Sequence, residues 1–177
     1  MSKSKFVAVD AGTLFTPAEK LSPGRLLIEG ASIAEVGHPH AVRIPANAER
    51  VDASQFLVTP GFIEPHIHGC GGVDVMDGTY ESLNAISRIV ARHGTTSFLP
   101  TTVSSPSPDL TQVVERLGRL LSKSFDGAMP LGIHLEGPFI SIEKRGTHKA
   151  ANVLPPNIEE LEKWVHASQK SVRLLTI

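Results

Sequence analysis

The sequence has a single cysteine, little net charge and no long apolar run. Cys70 cannot form an internal disulfide, so we expect a reducing, cytoplasmic location. A net charge of −1 gives no basic stripe for a nucleic-acid partner. Apolar runs stay below the roughly 18 residues of a membrane span, so no membrane partner is expected either. Basic residues near the start lack a following apolar segment, which argues against a secretory signal.

What remains is the composition of an ordinary globular protein, with 41% hydrophobic and 20% charged residues among 177. The first third of the chain has short apolar runs separated by turn residues. A hairpin turn is indicated at Gly30, and the first strand is expected to end near Asp10-Ala11-Gly12. We therefore predict that residues 1–59 form a small antiparallel β-unit with strands at 5–9, 25–28, 32–36 and 51–58.

After Pro60 and Gly61 the pattern changes to alternating strands and helices. Ser107 is expected to be an N-cap, with Pro108 at the first helical position. This alternation predicts parallel βαβ units whose strands are apolar because both faces are buried. A doubly wound sheet and a (β/α)8 barrel both fit the order. The strands are predicted at 62–68, 95–99, 131–135 and 172–177, and the helices at 82–92, 108–121 and 158–165.

The length of this second region bears on the choice of fold. A (β/α)8 barrel needs roughly 250 residues, whereas 118 residues follow Thr59 (177 − 59). The sequence also stops inside a predicted strand. We therefore expect residues 60–177 to contain only the first three to four βα units of an incomplete barrel, in a truncated chain.

The first candidate site is His66-Ile67-His68. Alternate residues of a strand point to the same side, so both imidazoles should project together. Two imidazoles at the carboxyl end of a strand suit a divalent metal such as zinc, and barrel enzymes build their sites at that end. The spacing alone also fits an unrelated pair of surface or core histidines.

The second candidate site is the segment from His134 to Phe139. His134 and Glu136 share one face of a short strand, and Gly137-Pro138 should end that strand with Glu136 at its tip. A buried carboxylate is costly unless it is paired or bound to a metal, which makes Glu136 a candidate ligand. A capping or salt-bridging glutamate is the alternative. His134 fits a hydrogen-bonded residue behind the site better than a ligand.

These segments together carry a resemblance to a known family. FLVTPGFIEPHIHGCGG at 56–72 resembles the first-strand signature of the amidohydrolase superfamily. GTTSFLPT at 94–101, GIHLEGPFIS at 132–141 and KRGTHKAANVLPP at 144–156 are similar to one branch, the N-acetylglucosamine-6-phosphate deacetylases. The resemblance covers essentially the whole chain in order, and the glutamate segment with its downstream Gly-Thr-His is the more specific part.

The resemblance implies an α/β fold in which a (β/α)8 TIM-type hydrolase barrel accompanies a small β-sandwich. Residues 1–59 would be the N-terminal part of the β-sandwich, and residues 60–177 the first half of the barrel. It also implies a cytoplasmic enzyme of amino-sugar metabolism that forms a homodimer when complete.

The resemblance further implies roles for five residues. Glu136 matches a metal ligand on the third strand, and His66 and His68 match a pair that serves a second metal position in some members. One or two divalent ions, most simply zinc, are therefore expected. Thr147 and His148 match a loop that contacts the sugar-phosphate substrate. A departure lies nearby, at residue 64, where a glutamate stands in place of the more usual aspartate and retains its charge.

The implied reaction is metal-assisted hydrolysis of N-acetylglucosamine 6-phosphate to glucosamine 6-phosphate and acetate. In that reaction the metal activates the carbonyl and the water, and an aspartate transfers the proton to the leaving amine. This aspartate is expected beyond Ile177, so no catalytic residue is assigned here and the chain alone is expected to be inactive. The alternatives are an amidohydrolase that acts on cyclic amides and a non-enzymatic, degenerate fragment.

Two further features have simpler interpretations. Gly69-Cys70-Gly71-Gly72 lacks the lysine of a phosphate-binding loop and is predicted to be the turn that leaves the first barrel strand. Lys144 and Arg145 fit either a loop that attracts an anionic substrate or an ordinary solvated loop.

Overall fold

The computed structural model describes residues 5–177. Residues 1–4, which the sequence assigns to the first domain, lie outside the described residues. The chain divides into two compact units between Pro60 and Gly61. No helix in the described part of the chain is both long and apolar enough to cross a membrane.

The first unit is a five-stranded sheet in which β2, β1, β3 and β4 follow one another and β5 also pairs with β1. The turn between β3 and β4 places Gly30 in the left-handed region, with a φ of 60°. The strands are β1 (Phe6–Phe15), β2 (Lys20–Leu21), β3 (Gly24–Glu29), β4 (Ser32–Gly37) and β5 (Glu49–Val58).

Two predictions for this unit are wrong. The sheet is mixed, because β5 pairs with β1 in parallel. β1 also continues through Asp10-Ala11-Gly12 to Phe15, since Ala11 and Leu14 are both buried. The pairing with β5 shifts register at Gly12, where an added Cβ would lie 2.2 Å from the Ser54 carbonyl oxygen. The glycine thus permits a close approach to β5 and does not end the strand.

The second unit alternates strands with helices along most of its length. Its strands are β6 (Phe62–Ile67), β7 (Gly69–Cys70), β8 (Val73–Asp74), β9 (Thr95–Thr102), β10 (Met129–Pro130), β11 (Ile133–Glu136) and β12 (Val172–Thr176). Its α-helices are α1 (Tyr80–Ala91), α2 (Ser107–Leu120) and α3 (Ile158–Ala167). β7 and β8 form a small hairpin after β6, in the position of the predicted turn.

The main sheet of this unit is parallel, in the order β6, β9, β11 and β12, with β10 also paired to β9. The α/β fold is therefore confirmed, whereas closure into a barrel stays a prediction. Phe98 of β9 and Leu135 of β11 are fully buried against side chains of the three helices, among them Leu83, Leu117 and Trp164. The central strands thus build the core that fixes the carboxyl ends of the sheet.

The outer strands are less buried than predicted. Phe62 and Ile63 of β6 are 67% and 64% exposed, and Leu174 of β12 is 40% exposed. In the part of the chain that the structure describes, β6 and β12 each pair with the main sheet along one side only. Burial on both faces is therefore a property of β9 and β11, and the prediction was wrong for their outer neighbours.

The start of α2 differs from the prediction. Pro106 is the N-cap residue and Ser107 is already helical, so Ser107 does not cap the helix. Its hydroxyl instead donates to the Glu160 carboxylate at the start of α3. The side chain of Asn157 accepts the Glu160 backbone N–H and caps α3. Ser107 therefore bonds to a residue distant in sequence and does not cap its own helix.

Candidate metal centre

The two candidate sites of the sequence lie together at the carboxyl ends of β6 and β11. His66 is the penultimate residue of β6, His68 follows this strand, and Glu136 is the last residue of β11. One potential ligand atom from each lies within 4.8 Å of the others. The His68 Nε2 atom is 3.1 Å from His66 Nε2 and 3.0 Å from Glu136 Oε2. The two-residue spacing therefore projects both imidazoles toward the carboxylate.

The hydrogen bond at His68 fixes which of its nitrogens faces Glu136 with a lone pair. Its Nδ1 lies 3.1 Å from the Thr101 carbonyl oxygen, which can only accept, so the ring proton is on Nδ1. In the neutral ring the Nε2 lone pair then points toward the Glu136 carboxylate. The lone pair and the carboxylate repel each other unless a cation or a proton lies between them. Histidines that bind a metal usually donate their other ring N–H to a carbonyl or carboxylate, as His68 does here.

The distances among the three residues also suit an ion. Ligands at about 2.0–2.2 Å from a tetrahedral zinc lie about 3.3–3.6 Å from one another. The three separations here are 3.1 Å between the imidazoles, 3.0 Å from His68 to Glu136 and 3.7 Å from His66 Nε2 to Glu136 Oε1, and each lies within about 0.3 Å of the tetrahedral range. One carboxylate and two imidazoles form a reasonable ligand set for zinc or a similar divalent ion. These residues therefore fit a divalent metal.

His134 lies behind the centre and is only 2% exposed. Its Nδ1 lies 3.1 Å from the Pro65 carbonyl oxygen, and its Nε2 lies 2.8 Å from the Thr176 hydroxyl. Burial, followed by the neighbouring His66 imidazole, lowers the pKa of His134 and favours the neutral ring. With both nitrogens occupied, His134 joins β11 to β6 and β12 and does not offer a lone pair to the centre.

A cavity of about 520 Å³ opens beside Glu136 and His68. Thr147 and His148, the predicted substrate contacts, both line it. The His148 Nε2 atom is 3.2 Å from Glu136 Oε2, and its side chain is 9% exposed. The structure thus brings His148 into direct contact with the candidate metal centre, with Thr147 on the same wall.

Lys144 and Arg145 line the same cavity, so both cations stand where an anionic ligand could enter. Arg145 also donates to the Ile142 carbonyl oxygen at 2.9 Å.

Cys70 lies in the hairpin after β6 and packs against the core, and burial raises the pKa of its thiol. A raised pKa disfavours the thiolate, which agrees with the turn role predicted for this residue.

The sequence did not single out Thr101, Ser104 and Asn152, which support the site. The Thr101 hydroxyl accepts the backbone N–H of Ile67 at 2.9 Å, which holds β6 against β9. Ser104 contacts His148, and Asn152 donates to the Ser104 carbonyl oxygen at 3.0 Å. A usable signal was the position of Thr101 and Ser104 at the carboxyl end of β9, where parallel sheets present functional groups.

Comparison with known proteins supports this picture. The family model described as the amidohydrolase family matches residues 57–173. The chain is 36% identical over 136 residues to the N-acetylglucosamine-6-phosphate deacetylase of Vibrio furnissii, covering 77% of this chain and 32% of that protein. It is 33% identical over 134 residues to the N-acetylgalactosamine-6-phosphate deacetylase of Escherichia coli O157:H7, covering 76% and 35%.

Solved structures give the same relationship. The N-acetyl-D-glucosamine-6-phosphate deacetylase of Mycobacterium smegmatis superimposes with a TM-score of 0.82 at 30% identity, covering 97% of this chain and 43% of that one. The chain therefore spans about two fifths or less of the length of these relatives.

Proposed function

The chain belongs to the amidohydrolase family, and on this premise we propose that it carries a divalent-metal site of a sugar-phosphate deacetylase. Glu136, His66 and His68 are the proposed ligands, and zinc is the proposed metal. The proposed reaction is hydrolysis of the acetamide of N-acetylglucosamine 6-phosphate to glucosamine 6-phosphate and acetate. The convergence of one carboxylate and two imidazoles within 4.8 Å at the strand ends is the observation that carries this proposal.

The residues around the centre have separable tasks in this proposal. An ion held by Glu136 and the two imidazoles supplies Lewis-acid chemistry to the acetamide. Thr147 and His148, on the wall of the cavity, hold the sugar close to that position. Lys144 and Arg145 favour an anionic substrate at the cavity, because their charges are opposite to that of a phosphate.

The architecture of the complete enzyme is part of the proposal. We propose that residues 1–59 belong to a β-sandwich and residues 60–177 to the first half of a (β/α)8 barrel. The five-stranded parallel sheet of the second unit supports the barrel. A homodimer and a cytoplasmic location complete the proposal, the latter supported by the single cysteine.

We also propose that the 177-residue chain alone releases no acetate. Glu136 is engaged as a ligand in this scheme and cannot serve as the general base at the same time. The family resemblance places the base, an aspartate, outside this sequence. Purified chain with and without zinc should therefore release no acetate from N-acetylglucosamine 6-phosphate, and metal-dependent turnover by a monomer would contradict this proposal.

The activity itself is best tested in a chimera. Residues 57–173 would replace the matching segment of the Vibrio furnissii deacetylase, which supplies the remaining length. We expect metal-dependent acetate release from the chimera and a large loss on Glu136→Gln, with Glu143→Gln in the nearby loop as a control. A folded, zinc-loaded chimera without acetate release would refute the proposed function.

The same chimera tests the choice of sugar. One relative is named for N-acetylgalactosamine 6-phosphate, so the orientation of the sugar 4-hydroxyl is the discriminating feature. Acetate release should be compared between the two epimeric substrates at equal concentration. We expect the glucosamine derivative to be preferred, and a preference for the galactosamine derivative would transfer the proposal to that substrate.

A further inference from the structure

His148 is held on both sides of its ring. Its Nε2 lies 3.2 Å from Glu136 Oε2. Its Nδ1 lies 2.8 Å from the Ser104 hydroxyl and accepts the Ser104 backbone N–H at 3.3 Å. Because the side chain is 9% exposed, these contacts and not bulk water determine where the ring carries its proton.

The contact with Ser104 assigns the tautomer of His148. A backbone N–H can only donate, so Nδ1 must carry a lone pair. The ring proton is then on Nε2 and is donated to the Glu136 carboxylate. In this state the Nε2 atom of His148 has no lone pair for a metal, although it lies as near to Glu136 as a ligand would.

His68 has the opposite tautomer at the same carboxylate oxygen. Its Nδ1 donates to the Thr101 carbonyl, and its Nε2 lone pair faces Glu136 Oε2 at 3.0 Å. One histidine is thus prepared to bind an ion and the other to donate a hydrogen bond. The group behind each ring makes this difference, because a carbonyl oxygen accepts whereas a backbone N–H donates.

Ser104 is itself held firmly. It is 4% exposed, and its carbonyl oxygen accepts the side-chain N–H of Asn152 at 3.0 Å. A Cβ added to Gly137 would lie 2.3 Å from the Ser104 hydroxyl oxygen. The glycine that follows Glu136 therefore leaves the space that this hydroxyl occupies next to His148.

We infer that Ser104 is a positioning residue that keeps the proton of His148 on Nε2, so that His148 donates a hydrogen bond in the site and stays out of the metal coordination. This inference adds a detail to the proposed function. It rests on that proposal only in taking Glu136, His66 and His68 as the residues that bind the ion. Asn152 and Gly137 support the position of Ser104.

The tautomer can be measured directly by nitrogen-15 NMR of the histidine rings in the 177-residue chain. We expect the His148 signals of a protonated Nε2 and an unprotonated Nδ1, before and after addition of zinc, whereas the Nε2 signals of His66 and His68 should shift on zinc binding. A His148 ring protonated on Nδ1, or with Nε2 bound to zinc, would overturn the inference. The wild-type measurement decides this without any variant.

The role of Ser104 needs variants. Ser104→Pro removes the backbone N–H that requires a lone pair on Nδ1, so it should change the tautomer ratio of His148 about fivefold toward Nδ1–H, the size expected for one lost hydrogen bond. Ser104→Ala keeps that N–H and removes only a hydroxyl that can donate or accept, so His148 should stay protonated on Nε2. Ser87→Ala is the matched control, because it removes another buried hydroxyl that donates to a distant carbonyl, that of Ala128. An unchanged ratio in folded Ser104→Pro, or an equal change in Ser87→Ala, would refute the positioning role. An inactive chimera with His148 still protonated on Nε2 would refute only the proposed function.

Discussion

The two strand ends that form the candidate metal centre are built differently. On β11, Ile133 and Leu135 are fully buried, and pairing with β9 and β12 covers both edges. On β6, Phe62 and Ile63 are largely exposed, and the described pairing is with β9 alone. One ligand therefore comes from the packed centre of the sheet and two come from its exposed border.

This difference shows how the exposed border is kept in place. A few specific hydrogen bonds replace the packing that β6 lacks. Thr101 of β9 supplies two of them, through its hydroxyl to the Ile67 backbone N–H and through its carbonyl to His68. We therefore expect substitutions in β11 to change mainly the free energy of unfolding, and substitutions at the end of β6 to change mainly the affinity for a metal ion.

The largest effect should come from removing packing on β11. Leu135→Ala should lower the free energy of unfolding by about 2–5 kcal/mol, because a fully buried leucine leaves a cavity. The matched change on β6, Ile63→Ala, should alter it by only about 0.5 kcal/mol, since Ile63 is 64% exposed. Urea denaturation of both variants measures the difference, and equal losses would remove the contrast between the strands.

The next effect concerns the metal. Glu136→Gln keeps the size of the side chain but removes the charge that three imidazoles face. Removing a residue that only hydrogen-bonds to a metal ligand usually lowers metal affinity about 10–100-fold. Removing the ligand Glu136 itself should therefore lower it about 100-fold or more. Competition with a chromophoric chelator measures zinc affinity, with Glu143→Gln as control. An affinity within a few-fold of the wild type would exclude Glu136 as a ligand.

The same contrast explains which parts of the fold could be predicted from the sequence. The parallel α/β order of the second unit follows from local patterns, because helical segments with apolar stripes alternate with short strand segments. The parallel pairing of β5 with β1 could not be predicted, since it depends on a contact between segments about forty residues apart in sequence. Gly12 was misjudged for the same reason, because its close partner is Ser54.

For the site, strand periodicity predicted that His66 and His68 project together and that Glu136 lies at a strand tip. Thr101 and Ser104, which hold the histidines in place, were not predicted, because they act through backbone groups or through contacts with residues distant in sequence. His68 is oriented by the carbonyl of Thr101, which leaves no trace in the residue type. Ser104 meets His148 across 44 positions of sequence, and nothing local marks either as the partner of the other.

A smaller effect should separate the two imidazoles of β6. His68 is held by the Thr101 carbonyl and is 35% exposed, whereas the His66 side chain is 44% exposed. An oriented ligand loses less freedom when it binds an ion, so His68→Ala should weaken zinc binding about tenfold more than His66→Ala. Calorimetric titration with zinc gives both affinities. A larger loss of affinity in His66→Ala would mean that the hydrogen bond from His68 to the Thr101 carbonyl does not decide which imidazole binds zinc more strongly.

The smallest effect should arise in the segment that leads from β6 to α1. There the Asp77 carboxylate accepts the backbone N–H of Asp74 and the hydroxyl of Ser82, and in that order these bonds lower the pKa of Asp77. A lowered pKa means that the folded state favours the carboxylate. The resulting stabilisation is complete above the ordinary aspartate pKa of about 4 and is lost as the pH falls through the lower value of the folded state.

Asp77→Asn should therefore unfold more easily than the wild type at neutral pH, and the difference should shrink as the solution is acidified below about pH 4. Because Asp77 is exposed, salt should weaken the effect. Ser82→Ala removes one of the two donors and should reduce the pH dependence without abolishing it, which makes it an internal control. Urea denaturation between neutral and acidic pH measures all three proteins. If the wild type and Asp77→Asn kept a constant difference across that range, the charge of the carboxylate would not be what holds the segment after β6.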